Sequence, residues 1–333
     1  MKKSFVKCLV IFLLLVPWPV LAYTETTSGG EVKANVYPGS PGPNETVNIS
    51  LGSYSADLET SSISWSEDGK TYPALIGQSS FSFTMGSLGS TKEISASITA
   101  LSGGNIEKNF TFTAGSVDIL WEANTYVPPF YQGHSQPSSD SQLKIVAIPH
   151  IFAADGQPLG LNQLVFKWQN GSSRLSAGKP GVNYLTIQAE KPGGKISLTL
   201  NIYDLFGQLL ISKDINIPTS NPQILVYENK PLVGMQYQRA LTSIDLSTPE
   251  IALQVEPYFF SLPDVMANQL SYNWQMNGRP ITASSTDRRQ MSFQQDRGSA
   301  GTVNVAVLVK DAVNWFQSAQ AGVVINLNKK SSF

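Results

Sequence analysis

The chain has 333 residues, of which 14% are charged, and its formal net charge is −1. Lys and Arg are not clustered, so the sequence lacks the electrostatic pattern of a nucleic-acid-binding protein and no nucleic-acid partner is expected. The length predicts two or three domains. Abundant Ser, Thr, Asn, Gln, Gly and Pro favour β-sheets with neutral polar faces over long exposed helices.

The first 22 residues predict a cleavable signal peptide. A basic start (MKKSFVK) precedes a short apolar run (LVIFLLLV), and Val20-Leu21-Ala22 places small residues at a cleavage position. The apolar run is too short to anchor the chain in a bilayer. We therefore expect an exported protein, extracellular or in the cell envelope, with no transmembrane segment after cleavage.

The only cysteine, Cys8, lies inside this signal peptide. The mature chain would therefore contain no disulfide, no thiol nucleophile and no cysteine-based metal site. Its stability would rest on hydrophobic cores.

Residues 23–30 (YTETTSGG) are predicted to form a flexible leader. Beyond them the hydrophobic pattern alternates with a period of two, as in KISLTLNIY and GTVNVAVLVKD, which predicts half-buried strands of antiparallel sheets. Strands recur at short intervals with Gly, Pro, Asn and Ser between them, a pattern typical of β-sandwiches. No helical stripe is found after residue 22.

Four landmarks repeat in order with a spacing of about 105 residues. This repeat predicts two copies of one domain, residues 117–219 and 220–328, followed by a tail at 329–333. Residues 31–115 are predicted to be a smaller related domain. The landmark pairs are ILWEAN and ILVYEN, Pro149 and Pro257, Trp168 and Trp274, and Asp204 and Asp311.

A tryptophan phrase occurs once in each predicted domain, as ISWSEDG, LVFKWQNG and LSYNWQMNG. Trp65, Trp168 and Trp274 continue the apolar face of their strands, so all three are predicted core residues. The following Asp-Gly or Asn-Gly suits a tight hairpin turn. Because the Trp-to-Gly spacing is one residue shorter in the second phrase, we expect a different loop length or a bulge there.

The entry phrase PGSPGPNETVNISL, followed by ISWSEDGK, resembles the first strands of bacterial immunoglobulin-like, PKD-type modules of secreted or cell-surface proteins. The run at Tyr272, Trp274, Asn277 and Gly278 resembles them as well. The resemblance implies an all-β chain of three tandem immunoglobulin-like β-sandwich domains after the signal peptide.

Candidate catalytic and metal-binding residues are few. His134 and His150 are the only histidines, and neither lies in a sequence typical of a catalytic triad or a zinc site. Asp118, Glu122 and Asp155 are not spaced like a carboxylate pair or a calcium loop. We therefore predict a non-enzymatic protein without cofactor or metal, although a calcium ion held by Asp118 or Glu122 at a domain junction stays an open alternative.

Four aromatic residues surround two prolines in residues 121–131: Trp121, Tyr126, Phe130 and Tyr131. Exposed aromatic rings could stack on sugars or contact a partner protein, so these four are the candidate ligand contacts. The alternative is that they pack at a domain junction. The predicted function is a structural spacer or adhesion array. The second hypothesis is a carbohydrate-binding protein that uses residues 121–131. The partner would be a surface protein or a glycan, and the oligomeric state stays open.

Overall fold

The computed structural model describes most of the chain after the predicted signal peptide, which lies outside the described residues together with the tail at 329–333. Nearly all regular structure in it is β-strand, as the alternating pattern predicted. None of the helices in the described residues has the length and apolar composition of a membrane span. The described residues are 23–28, 32–54, 57–101, 103–153, 155–190, 194–246, 248–282, 286–296 and 299–327.

The first pair of sheets, called here the first sandwich, encloses a buried cluster that includes Trp65. One sheet has the order β2-β3-β7 and the other β1-β9-β8-β4-β5, with β6 on β4. The strands are β1 (Tyr23–Ser28), β2 (Lys33–Tyr37), β3 (Thr46–Gly52), β4 (Ser62–Glu67), β5 (Lys70–Thr71), β6 (Leu75–Ile76), β7 (Ser80–Thr84), β8 (Thr91–Thr99) and β9 (Asn105–Thr113).

The prediction of a flexible leader is wrong for residues 23–28, which form β1. This strand pairs antiparallel with β9, from Tyr23 opposite Phe112 to Ser28 opposite Glu107. Lys108 of β9 is buried and forms an ion pair with Glu25. The Thr-rich segment has the composition of a strand, and by pairing it covers an edge that β9 would otherwise expose.

The second sandwich consists of sheets β10-β11-β14 and β13-β12-β15-β16 around a cluster that includes Trp168. A short 3₁₀ turn, Leu161–Gln163, precedes β12. The strands are β10 (Ser116–Ala123), β11 (Gln142–His150), β12 (Leu164–Asn170), β13 (Ser173–Arg174), β14 (Tyr184–Gln188), β15 (Gly194–Asp204) and β16 (Leu209–Thr219).

The third sandwich repeats this plan around Trp274, with sheets β18-β17-β20-β23 and β19-β25-β24-β21-β22. It also contains a short helix, α1 (Leu262–Met266), which the period-two pattern did not predict. The strands are β17 (Gln223–Lys230), β18 (Gly234–Met235), β19 (Ser243–Leu246), β20 (Glu250–Tyr258), β21 (Leu270–Met276), β22 (Arg279–Ile281), β23 (Gln290–Gln294), β24 (Gly301–Asp311) and β25 (Ser318–Leu327).

Strand connectivity makes the sandwiches immunoglobulin-like. In the second one, the first, second and fifth strands form one sheet, while the third, fourth, sixth and seventh form the other. This Greek-key division, with a buried Trp on the third strand, is the immunoglobulin-type arrangement. The three buried clusters draw on residues 32–114, 117–217 and 224–325. The predicted domain boundaries at 115–117 and 219–220 stay a prediction.

Strand pairing refines the repeat between the second and third sandwiches. Val117 lies opposite Pro149, and Ile224 lies opposite Pro257. Val117 is therefore the structural equivalent of Ile224, and the predicted match of Ile119 with Ile224 is wrong by two residues. A shift of two keeps the same face of the strand toward the core, which is why the hydrophobic pattern did not reveal it.

The expectation of a different loop or a bulge after Trp168 is also wrong. All three hairpins have two-residue turns, and in all three the strand ends two residues after the Trp. The turn residues with positive φ are Asp68-Gly69 and Asn277-Gly278, whereas the second sandwich has Gly171 at the first turn position. Asn170 is the last residue of β12, so a Gly-Ser turn replaces Asn-Gly without a change in length, as a type II′ turn allows.

All three predicted core tryptophans lie inside their sandwiches, with relative exposures of 1% for Trp65, 0% for Trp168 and 2% for Trp274. The indole Nε1 of Trp65 donates to the Gln78 carbonyl at 3.0 Å, and that of Trp274 donates to the Arg288 carbonyl at 3.2 Å. The buried Nε1 of Trp168 has no acceptor among the described residues.

We predict that Trp168→Phe destabilises the protein less than Trp65→Phe or Trp274→Phe, by about 1 kcal/mol in the free energy of unfolding. Each change removes a similar volume, but only the latter two leave a carbonyl without its donor. Chemical denaturation of the three purified variants would measure the difference. Equal losses at all three positions would contradict the prediction.

Candidate functional site

The segment that follows β10 crosses to the third sandwich instead of turning back at once to its own. Thr125 forms an antiparallel bridge with Ser261. The Tyr126 N–H donates to the Phe260 carbonyl and the Phe259 N–H donates to the Tyr126 carbonyl, both at 2.7 Å. Backbone pairing therefore connects the second and third sandwiches.

Gln317, at the end of the β24–β25 loop, is fully buried and fixes this junction with its side-chain amide. Its Oε1 accepts from the Ser261 N–H at 3.0 Å. Its Nε2 donates to Ser138 Oγ at 2.9 Å and to the Ser139 carbonyl. Ser138 Oγ in turn donates to the Phe259 carbonyl at 2.5 Å. One amide thus connects three segments of the chain.

Two of the four predicted ligand-contact residues lie in this junction. Phe130 stacks on Tyr237 with ring centroids 3.8 Å apart. Tyr131 meets Tyr258 and Phe259 edge-to-face, at 5.7 and 5.9 Å. Both rings of the second sandwich's loop are therefore packed against aromatic residues of the third sandwich.

Tyr126 lines a cleft of about 720 Å³ on the third sandwich, at the place where the segment after β10 meets it. Tyr272 of β21 lines the same cleft, as do Asp287 and Arg289 from the segment before β23. Met266, at the end of α1, forms part of the rim and is largely exposed. The cleft therefore combines one residue of the second sandwich with several of the third.

An ion-pair network lies in and beside this cleft. Arg289 binds Asp287 in a bidentate fashion, with Nε at 3.2 Å from Oδ1 and Nη2 at 3.1 Å from Oδ2. Its Nη1 lies 4.0 Å from Oε2 of Glu256, which is only 4% exposed. Gln254 Nε2 donates to Glu256 Oε1 at 2.9 Å. The buried carboxylate thus has a hydrogen bond and a nearby cation.

Burial determines the direction of the pKa shift of Glu256, Tyr126 and Tyr272, but not that of Asp287. It raises the pKa of Glu256, with the Gln254 hydrogen bond and the Arg289 charge opposing it. Burial also raises the pKa of Tyr126 and Tyr272. For Asp287, burial is outweighed by the hydrogen bonds from Arg289, so its pKa is lowered.

Trp121 lies in a different depression, of about 680 Å³, on the second sandwich. Its ring is tilted against His134 with centroids 5.1 Å apart, and it also packs against the buried cluster. Glu122 and Lys144 line the same depression. The structure therefore divides the four predicted ligand-contact residues: Trp121 and Tyr126 line separate depressions, and the other two are in the junction.

The remaining candidate residues lie on the surface of the second sandwich. His150 Nε2 is 3.1 Å from Asp118 Oδ2, and both side chains are exposed. Glu122 and Asp155 are exposed as well. In the part of the chain that the structure describes, no group of three His, Cys, Asp or Glu residues is arranged to hold a metal ion.

Sequence reasoning missed Glu256, Asp287 and Arg289. Glu256 follows the buried Val255 on β20, so strict alternation places it on the outer face of its sheet. The structure nevertheless buries it, with Gln254 and Arg289 beside its carboxyl group. Asp-x-Arg at 287–289 is a short polar run that resembles an ordinary loop, and no local signal distinguishes it.

Comparison with known proteins does not assign the chain to a family. No family model and no curated protein matches the chain. Among solved structures, three N-terminal domains of the bacteriophage RB49 Highly Immunogenic Outer Capsid protein match at 10% identity and a TM-score of 0.26, covering 92% of this chain and 100% of that one. The central fibronectin-III array of RIM-binding protein matches at 10% identity and 0.28, covering 86% and 93%.

The Bacteroides ovatus glucan-utilisation protein SGBP-B, in complex with a mixed-linkage heptasaccharide, matches at 8% identity and a TM-score of 0.21, covering 89% of this chain and 70% of that one. Likenesses at this level carry no conclusion about ligand or partner. The immunoglobulin-like description rests on the strand order given above.

We predict that Glu256→Gln flattens the pH dependence of stability. Because the pKa of Glu256 is raised from its ordinary value of 4.5, the folded chain keeps this proton at pH values where the unfolded chain has lost it. Its contribution to the free energy of unfolding therefore falls as pH rises above about 4.5. The wild type should lose more stability than Glu256→Gln between about pH 4 and pH 7.

Denaturant titrations at the two pH values would measure this difference. Glu122→Gln, which changes an exposed carboxylate, is the matched control and should follow the wild type. Parallel curves for wild type and Glu256→Gln would show that burial does not hold the proton on Glu256.

Proposed function

We propose that the chain is a non-enzymatic secreted or cell-surface protein, a spacer or adhesion array built from immunoglobulin-like sandwiches. The observation that carries the proposal is the junction around Gln317, which joins two sandwiches through backbone pairing, a buried amide and packed aromatic rings. A spacer must transmit its orientation from one sandwich to the next, and a flexible linker would not do so.

The chemistry of the junction supports stiffness over a hinge. Separating the sandwiches would break the hydrogen bonds that the Gln317 amide and the Phe259 carbonyl make across the junction. Both groups would need new partners from water at the same time, and buried polar groups without partners are costly. The aromatic contacts of Phe130 and Tyr131 would be lost at the same time. Relative motion of the two sandwiches is therefore expected to be small compared with that of domains joined by an open linker.

Export, bacterial origin and the PKD type of the sandwiches belong to this proposal. They rest on the signal-peptide pattern of residues 1–22 and on the resemblance of the entry and Trp phrases. The absence of enzymatic activity is likewise proposed. It is supported by the placement of His150 beside an exposed carboxylate and of His134 against Trp121, without the base–nucleophile geometry of a catalytic site.

The second candidate function is carbohydrate binding through residues 121–131. One observation favours it: Trp121 and Tyr126 each line an open depression. Phe130 and Tyr131, in contrast, are used by the junction. A ligand site on this loop would therefore depend on Trp121 or Tyr126 and not on all four aromatic residues.

We expect Gln317→Ala to loosen the junction. Two cysteines, Ser197→Cys on the second sandwich and Ser292→Cys on the third, can carry spin labels because the mature chain has no cysteine of its own and both positions are exposed. The distance distribution between the labels should be narrow in the parent and clearly broader in Gln317→Ala.

Gln320→Ala, at an exposed position of β25, is the matched control and should keep the narrow distribution. A parent distribution as broad as that of Gln317→Ala would contradict a stiff spacer.

Cell fractionation with an antibody to the mature chain tests where the protein is located. We expect the cleaved chain in the envelope fraction or the medium. Recovery of the uncleaved chain inside the cell would contradict an exported spacer or adhesin, whatever the stiffness of its junction.

A further inference from the structure

We propose that the cleft lined by Tyr126, Tyr272, Asp287 and Arg289 binds a neutral saccharide. This inference adds a ligand to the array and holds whether or not the chain acts as a spacer. It also locates the site in the cleft and not on the loop 121–131 as a whole.

The volume and position of the cleft suit a small ligand. About 720 Å³ is within the range of ligand-binding clefts, which often lie where two domains meet. Tyr126 comes from the second sandwich, and the other three named residues come from the third. Because the Gln317 network fixes the two sandwiches, the walls are held in place before a ligand arrives, which lowers the entropic cost of binding.

The charges in the cleft favour an uncharged, hydroxyl-rich ligand. Among the described lining residues, Arg289 is paired with Asp287, which offsets its charge. The lining has one further charge, that of Arg288, which is exposed to solvent and attracts a phosphate or a carboxylate only weakly. A purely apolar ligand would bury these polar groups without partners, which is costly.

A saccharide matches the remaining chemistry. A carboxylate that accepts and a guanidinium that donates, held side by side, can bind neighbouring hydroxyl groups of one sugar ring. Tyr126 and Tyr272 both line the cleft, and a tyrosine side chain combines an apolar ring with a hydroxyl group, which suits the mixed apolar and polar surface of a sugar. Tyr272 is held by β21, opposite Val309 of β24, so one wall of the cleft is a strand and not a mobile loop.

Isothermal titration of the mature chain with neutral hexasaccharides tests this proposal. The probes are cellohexaose, laminarihexaose and mannohexaose, with hexagalacturonate as the acidic comparison. At least one neutral probe should bind with a dissociation constant between about 1 µM and 1 mM, and the acidic probe should bind at least tenfold more weakly.

Arg289→Ala should weaken binding of the neutral probe by about tenfold or more, since the paired donors are lost. Arg289→Lys keeps the charge and should still lose most of the affinity, because a lysine cannot bind in the planar bidentate manner. Trp315→Ala, which removes an aromatic residue that is 90% exposed and lies outside the cleft, should keep the parent affinity. Thermal unfolding checks that each variant is folded.

Three results would overturn the proposal. The first is no heat of binding with any neutral probe up to about 10 mM, and the second is tighter binding of the acidic probe. The third is full affinity in folded Arg289→Ala or Arg289→Lys. If Trp121→Ala then abolished binding, the saccharide site would lie in the depression lined by Trp121. None of these results affects the spin-label distance distributions or the cell fractionation. The saccharide proposal and the spacer proposal can therefore be contradicted independently.

Discussion

The burial of Gln317 between two sandwiches is the constraint on which the rest of the junction depends. A buried amide is tolerated only when its donors and acceptor are satisfied, and here the partners come from Ser261 and from Ser138 and Ser139. These partners fix the segment after β10 against β20, and that segment brings Tyr126 to the cleft. The Gln317 amide therefore contributes to the placement of Tyr126 together with the backbone bonds of Tyr126 to Phe259 and Phe260.

Much of the fold could be predicted because its signals are local. Alternation with a period of two identified the strands, and the three Trp positions follow from the apolar faces of their own strands. The hairpin after Trp168 shows that a matching dipeptide does not by itself predict the position of a turn. Asn170-Gly171 looks like the Asn-Gly turn of the third sandwich, yet the strand continues to Asn170, two residues after Trp168, and Gly171 is the first residue of the turn. Register, and not the dipeptide, decided the turn.

The candidate site could not be predicted for a physical reason. Glu256 is on the outer face of its sheet, where alternation places solvent-exposed residues, yet it is buried. Its neighbour on that strand, Tyr258, packs against Tyr131, which lies more than 100 residues earlier in the chain. The contact between the sandwiches uses Phe130 and Tyr131, for which the sequence left ligand contact and packing at a domain junction as alternatives. Composition identified residues 121–131 as unusually rich in aromatic residues. Only the packing of one sandwich on another shows which of these rings contact the third sandwich and which line a cleft.

Polar contacts suit the role of this junction better than apolar ones would. Each sandwich has its own buried cluster, so most of the folding free energy is gained within sandwiches and little is needed between them. An apolar patch would hold two sandwiches together in several orientations, because dispersion contacts have little directional preference. The Gln317 amide, the Thr125–Ser261 bridge and the edge-to-face rings are all directional, so they select one orientation. Because Tyr126 lines the cleft together with Tyr272 of the third sandwich, this selection matters more for the shape of the cleft than the strength of the contact does.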